Sequence, residues 1–137
     1  MDTPTVWRLV AVPFGLWCVM AVLAVVNGGI RETYLLPALG YDRAHLLSTA
    51  LLVGAILLVT GLYFTQTAAP YTRLELLAIG VAWAVLTVGF EFLVGYLEGT
   101  PVSVTLGQYN VLAGEVWIVV PLTLVFSPIV FGRLLNG

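Results

Sequence analysis

Two glutamates lie within long apolar stretches of this sequence, where carboxylates are rare. Glu91 lies in LLAIGVAWAVLTVGFEFLVGYL, and Glu115 lies in VLAGEVWIVVPLTLVF. A charged side chain that faces lipid is costly, so such residues usually face the interior of a helix bundle and find partners there. A carboxylate in that position can complete an ion pair, bind a ligand or exchange a proton. These two residues are therefore the first candidates for chemistry.

Groups that would partner these carboxylates occur at the ends of two other apolar stretches. Asn27 and Arg31 follow the first stretch, and a spacing of four residues places them on one face of a helix. His45 and Ser48 open the second stretch and share a face in the same way. Arg31 is the predicted contact for an anionic group, and His45 carries an imidazole, which exchanges protons near neutral pH.

The acidic residues are predicted to lie at two depths. On a helix, Glu91 would lie roughly 10 Å deeper than Glu98, and Glu115 would lie roughly 7.5 Å beyond Asn110. Glu98 and Asn110 are thus expected near the membrane surface, whereas Glu91 and Glu115 enter the apolar zone.

Four apolar stretches reach the roughly twenty residues that a helix needs to cross a bilayer core. They cover about residues 7–28, 45–65, 74–97 and 111–135. Backbone groups in lipid must be hydrogen-bonded within their own helix, so we predict an all-α, polytopic four-helix bundle. The chain, residues 1–137, would form this single membrane domain.

Alternating spans bring the polar residues to one side of the bilayer, because the ends of spans one and three meet the starts of spans two and four. We therefore predict a polar pocket on that side. Its predicted ligand-binding residues are Asn27, Arg31, His45, Glu91, Asn110 and Glu115. Its predicted secondary residues are Glu32, Arg43, Ser48, Glu98, Tyr109 and Trp117.

Arginine placement predicts the orientation. The side opposite the pocket would hold more of the arginines, namely Arg8, Arg73 and Arg133 against Arg31 and Arg43. Basic residues favour the cytoplasmic side. Both termini are therefore predicted to be cytoplasmic in a multi-pass protein of the cell membrane, with the pocket near the outer leaflet.

Two connections flank the predicted pocket. Residues 30–44 are expected to form a tucked apolar loop in which Glu32 points away from the pocket, towards Arg43 or water. Thr100 followed by Pro101 is a common helix start, so a short interfacial helix is predicted at about 101–109.

Small residues recur where close helix packing would need them. They are Ala50, Gly54 and Gly61 in span two, with Ala78 and Ala82 in span three. We expect packing within the bundle, and contacts between copies in a homo-oligomer are the alternative.

The pattern favours a protein that binds a polar or anionic group, such as a lipid headgroup, a small solute or a proton. Two alternatives stay open. In a structural or accessory subunit of a larger membrane complex, Arg31 would pair with Glu91 or Glu115 only to fix helix order. In an intramembrane enzyme, His45 would work with one of those glutamates as acid and base.

A metal site is a weaker interpretation. His45, Glu91 and Glu115 offer nitrogen and oxygen ligands, but the sequence lacks the HxxxH and ExxH spacings of helical metal sites. We therefore predict neither a metal nor a cofactor.

Composition excludes several classes of protein. The chain is 61% hydrophobic and 9% charged, with a mean hydropathy of +1.06, whereas a soluble domain carries roughly 25% charged residues. Its formal net charge of -2, with no lysine, argues against a nucleic-acid partner. The expected partner is the lipid bilayer, and a homo-oligomer or a larger membrane complex stays open.

The chain resembles a family of small bacterial and archaeal membrane proteins in the order of its short motifs. These are N-G-x-x-R-E, a histidine that opens span two, F-E late in span three, and Y-N and G-x-x-W at the start of span four. The matching residues are Asn27, Gly28, Arg31, Glu32, His45, Phe90, Glu91, Tyr109, Asn110, Gly114 and Trp117. The resemblance covers nearly the whole chain and implies a recurring fold without implying a function.

Overall fold

A computed structural model describes residues 3–67, 71–107 and 118–135. These residues are helical nearly throughout, and no β-strand occurs among them. The helices are α1 (Pro4–Leu39), α2 (Tyr41–Gln66), α3 (Arg73–Leu97), α4 (Val102–Gly107) and α5 (Val119–Leu135). The all-α prediction is thus confirmed for the described part of the chain.

Three of these helices are long and apolar enough to cross a membrane. The most apolar windows of α1, α2 and α3 have mean hydropathies of 2.6, 2.2 and 2.1, and the chain has the character of a membrane protein. The fourth span was predicted at 111–135, and α5 is a shorter apolar helix that begins at Val119. Residues 108–117 lie outside the described part, so the four-span bundle stays a prediction.

The connection between α1 and α2 differs from the prediction, whereas the connection after α3 resembles it. The predicted loop over 30–44 is wrong, because α1 continues to Leu39 and Gly40 alone separates it from α2. A short helix, α4, does follow Pro101. Its predicted position in a membrane interface stays a prediction.

Two prolines explain the irregular course of α1. The helix contains two π-helical segments, Trp7–Ala11 and Arg31–Leu35, and each ends two residues before a proline. A proline ring clashes with the carbonyl four residues earlier, and those carbonyls belong to Leu9 and Thr33, at the centres of the two segments. Bonds that reach back five residues relieve this crowding, so α1 absorbs Pro37 without ending.

Gly40 reverses the chain between α1 and α2. Its φ of 81° and ψ of 172° lie where a side chain would be strained. Its N–H donates to the Leu36 carbonyl at 3.0 Å, and its own carbonyl accepts from the Ala44 N–H at 3.0 Å. This one-residue turn brings the end of α1 beside the start of α2.

The closest helix packing involves glycines that the sequence pattern did not single out. A Cβ added at Gly80 of α3 would lie 2.9 Å from the Leu124 carbonyl oxygen of α5, and one at Gly132 would lie 2.7 Å from the Leu76 side chain. The predicted packing residues Ala50, Gly54, Ala78 and Ala82 are exposed instead. Gly61 does face a neighbour, since a Cβ there would lie 3.6 Å from the Phe131 ring.

The resulting core lies between α2, α3 and α5, with α1 laid against it. Its buried residues are Met20, Leu52, Ile56, Ile79, Trp83, Val120 and Leu124. The ends of α1 and α3 opposite Gly40 are joined by the ion pair of Arg8 with Glu75, at 2.8 Å. Successive long helices therefore alternate in direction as predicted.

Candidate functional site

A cavity of about 730 Å³ lies between α1 and α3, and we call it the α1–α3 cavity. Its base is formed where the two helices touch, because the Trp17 indole N–H donates to the Thr87 hydroxyl at 2.9 Å. Deeper still, the Trp83 indole donates to the Pro13 carbonyl at 2.9 Å. Beyond Trp17 the cavity lies between the two helices and extends along α1 to Gly28 and Gly29, a rise of about 16 Å.

Most of the cavity wall is apolar. The apolar lining residues are Trp17, Met20, Ala21, Ala24, Val25, Leu52, Ile56, Phe90, Val94, Val120 and Leu124. Val25, one of these residues, is 59% exposed, so part of the apolar wall is not covered by other described residues.

The end of the cavity nearest Gly40 is polar, and we call it the polar mouth. The described residues that form it are Arg31, Glu32, Glu98, Thr100 and Thr105. Glu91 also lines the cavity, roughly 10 Å deeper than Glu98 along α3. The described lining thus combines one guanidinium with three carboxylates, one of them deep in the apolar part.

The start of α4 covers the polar mouth. The Thr100 N–H donates to the Gly95 carbonyl at 2.7 Å, which folds the chain back over the end of α3. A Cβ at Gly95 would lie 3.0 Å from the Thr105 hydroxyl oxygen, so the absence of a side chain there lets α4 approach. Both threonines thereby reach the cavity from α4 and the turn before it.

Arg31 and Asn27 are held in place by α2. The Asn27 amide donates to the Ser48 carbonyl at 3.0 Å, and the Ser48 hydroxyl donates to the Asn27 amide oxygen. Arg31 donates to the Ser48 hydroxyl oxygen at 3.4 Å. Gly28 leaves room for the guanidinium, since a Cβ there would lie 3.7 Å from Arg31 Nη2. We call these three side chains the Asn27–Arg31–Ser48 network.

Glu32 lines the cavity beside Arg31. Its carboxylate lies 3.5 Å from Arg31 Nε, and its side chain is 64% exposed. The side chain therefore faces water as expected, but its charged contact is Arg31 and not Arg43. In the π-helical segment that begins at Arg31, more residues complete each turn, so consecutive side chains diverge less in direction.

The remaining predicted site residues divide into those placed elsewhere and those not described. His45 is buried on α2 and stacks on Tyr41, with ring centroids 5.2 Å apart, and it is not part of the described cavity lining. Arg43 is exposed on the same helix. The other predicted residues, Tyr109, Asn110, Glu115 and Trp117, lie outside the described residues.

Several cavity residues were not anticipated. Thr87, Thr100 and Thr105 are single hydroxyls in apolar or loop segments, and no spacing rule distinguishes them from ordinary helix residues. Only the observed approach of α1 to α3 shows that the Trp17 indole closes the base of the cavity.

The opposite end of the bundle carries a second polar cluster. Arg8 makes two hydrogen bonds to Glu75, at 2.8 and 3.2 Å, and its guanidinium lies 5.2 Å from the centre of the Tyr71 ring. The Tyr71 hydroxyl donates to the Arg8 carbonyl and contacts the Tyr63 hydroxyl. Burial, together with the hydrogen bond to Tyr63, raises the pKa of Tyr71 above its ordinary value. This cluster holds α1 against α3 where the cavity is closed.

Within residues 3–67, 71–107 and 118–135, no three His, Cys, Asp or Glu side chains come together as a ligand set. The combination of His45 with Glu91 and Glu115 involves an undescribed residue and is therefore untested.

Comparisons with protein-family models, with curated proteins and with solved structures gave no match to this chain.

Proposed function

We propose that this protein binds an amphipathic molecule of the membrane in the α1–α3 cavity, with the polar end of that molecule among its charged residues. One observation carries the proposal: a single cavity has an apolar wall on one side and polar groups gathered towards one end. A purely structural polar cluster needs no such space beside it.

The dimensions of the cavity support this occupant. A volume of about 730 Å³ falls in the range of roughly 300–1,000 Å³ typical of small-molecule sites. The rise of about 16 Å from Trp17 to Gly28 is close to half of the roughly 30 Å hydrocarbon core. An acyl chain of one leaflet would therefore extend along the whole apolar wall.

The exposure of the apolar wall supports uptake from the bilayer. Val25 is 59% exposed, so a ligand would enter beside it from lipid without crossing water. In the orientation with both termini in the cytoplasm, the polar mouth lies in the outer leaflet at the level of the headgroups. Arg31, Glu32 and Glu98 would then contact the polar end of the ligand.

Filling the cavity tests the proposal. Ala24 lines the cavity, and Ala24→Phe should lower the affinity for single-chain amphiphiles by about tenfold, or 1.4 kcal/mol. The probes are tetradecylamine, tetradecyl phosphate and tetradecanol in nanodiscs, with retained amphiphile counted by native mass spectrometry. Ala82→Phe, on the exposed face of α3, is the matched control. Equal retention of all three probes by the two variants would sink the proposal.

The Asn27–Arg31–Ser48 network also favours a second role, that of a structural subunit whose polar residues fix helix order. The network joins α1 to α2 through hydrogen bonds to Ser48, which does not itself line the cavity. In that case Ala24→Phe would fill a packing defect and stabilise the protein, with no probe bound saturably by the wild type.

A further inference from the structure

We infer that the amphiphile of the α1–α3 cavity carries a positively charged amine on its apolar tail. The inference deepens the proposed function, because it names the chemical class of the same ligand. It also reverses the expectation of an anionic group, which depended on Arg31 being available to it.

The described lining of the cavity has more acidic than basic side chains. Its acidic residues are Glu32, Glu91 and Glu98, and Arg31 is its one basic residue. If all four are ionised, the lining carries two more negative charges than positive ones. A ligand that brings a positive charge lowers the repulsion among these carboxylates, whereas a phosphate or carboxylate would increase it.

Arg31 already contacts two neighbouring side chains. Its Nε lies 3.5 Å from Glu32, and its Nη1 donates to Ser48 at 3.4 Å. A guanidinium held by a carboxylate and a hydroxyl offers an anion less than an unengaged one would. Binding an anion there would also bring it close to Glu32.

The other described ionisable residues near Gly40 add no net positive charge to the lining. Asp42 and Arg43 are adjacent, exposed residues at the start of α2, and their opposite charges cancel. His45 is buried against Tyr41, away from the described lining.

Hydrogen bonding favours an amine with N–H groups. An ammonium has three donors and no acceptor, and the polar mouth offers carboxylate oxygens and the hydroxyl oxygens of Thr100 and Thr105. The aromatic lining residues Trp17 and Phe90 lie towards the base. A quaternary ammonium, which is bound best by aromatic faces, would therefore be weaker at the mouth.

Two carboxylates at different depths distinguish two sources of the amine. The amine of a membrane lipid headgroup would stay at the polar mouth beside Glu98. A free lipophilic amine can descend to Glu91, about 10 Å deeper. Both sources share the chemistry of an ammonium group attached to an apolar chain.

The test compares headgroups on one chain: tetradecylamine, tetradecyltrimethylammonium, tetradecanol and tetradecyl phosphate, at equal mole fraction in nanodiscs near neutral pH. Tetradecylamine should bind most tightly. If the amine lies beside Glu98, Glu98→Gln should weaken its binding by about three- to fivefold, as expected for an exposed ion pair. If the amine lies beside Glu91, Glu91→Gln should weaken its binding by about tenfold. The control, Asp42→Asn, removes an exposed carboxylate at the same end and should have little effect. Two glutamine variants keep the test valid if one of them fails to fold.

Competition then assigns the source. If dimyristoyl phosphatidylethanolamine displaces tetradecylamine and Glu98→Gln has the larger effect, the amine belongs to a lipid headgroup. If the lipid does not compete and Glu91→Gln dominates, a free lipophilic amine is the ligand.

Other outcomes overturn the inference. Tighter binding of tetradecyl phosphate, lost in Arg31→Gln, would show an anion site and leave the proposed function standing. Equal binding of amine and alcohol, or amine binding unchanged in both glutamine variants, would remove the role of charge. Binding of every probe unaffected by Ala24→Phe would instead remove the proposed function itself.

Discussion

Gly80 and Gly89 lie on the same helix, and the structure predicts opposite effects for the same substitution at the two positions. Gly80 faces α5, where an added Cβ would come closest to the Val125 carbonyl oxygen and would lie 2.8 Å from the Val125 carbonyl carbon. Nothing lies within 4 Å of an added Cβ at Gly89. Gly80→Ala and Gly89→Ala are therefore a matched pair in which only the neighbouring helix differs.

The magnitude follows from what must move. Alanine in a helix interior is favoured over glycine by about 1 kcal/mol, so Gly89→Ala should stabilise the protein by up to that amount. At Gly80 the atoms in the way belong to backbone, which cannot rotate aside. Helices α3 and α5 would have to separate by more than half an ångström, and overpacking of this kind costs about 1–3 kcal/mol or more. The two variants should therefore differ by about 3 kcal/mol.

Gly132→Ala tests the same contact from α5 and provides an intermediate case. Its added Cβ would meet the Leu76 side chain at 2.7 Å, and a leucine tip can change rotamer more easily than a backbone can shift. The expected order of stability is Gly89→Ala, wild type, Gly132→Ala and Gly80→Ala. Equilibrium unfolding in mixed micelles with increasing SDS, followed by circular dichroism, measures it. Equal stability of Gly80→Ala and Gly89→Ala would refute the close approach of α3 and α5.

Two further substitutions test the elements that place the polar mouth. Ser48→Ala removes the hydroxyl shared by Asn27 and Arg31. Because Ser48 is fully buried, this substitution should lower the unfolding free energy by about 1–3 kcal/mol. Its control, Ser103→Ala, changes an exposed residue of α4 and should be nearly neutral in the same assay. Gly40→Ala forces a side chain into a positive φ and should cost about 1–2 kcal/mol, whereas Gly15→Ala, in open space within α1, should not destabilise, and a neutral Gly40→Ala would contradict the one-residue turn.

The position of the cavity explains why the bundle tolerates its acidic residues. At the opposite end, Arg8 and Glu75 satisfy each other in a direct ion pair, and the helices there are in contact. At the polar mouth Arg31 is accompanied by Glu32 and Glu98, which are exposed, so water can solvate their carboxylates.

Sequence reasoning was most successful where a local property decides the structure. The second and third apolar stretches, predicted at 45–65 and 74–97, correspond closely to Tyr41–Gln66 and Arg73–Leu97, because an apolar run of that length is favourable as a helix in lipid. The spacing of Asn27 and Arg31 correctly predicted a shared face, since both reach Ser48. Alternation of long helices likewise predicted that Arg31, Glu91 and Glu98 would line one site.

The sequence was a poor guide where the outcome depends on a neighbouring element. Span one was predicted to end at about residue 28, but α1 continues to Leu39, with a π-helical segment over Arg31–Leu35 that accommodates Pro37. The small residues of span two looked suited to packing, yet Gly80 and Gly132 make the close approaches. The composition of a uniformly apolar helix does not determine which of its faces is buried.

The sequence by itself therefore determined that the described residues are helical, and its apolar stretches indicated the three long helices that are suited to a membrane. It also predicted that Arg31, Glu91 and Glu98 would lie at the same end of the bundle. Those results follow from hydropathy, helical spacing and the alternation of direction, all of which act along the chain. Only the tertiary structure decided that α1 contacts α3 at Trp17 and Arg8 and that a cavity lies between the two helices towards Glu98. A cavity is the space that packing leaves unfilled, so it depends on the shapes of several helices at once.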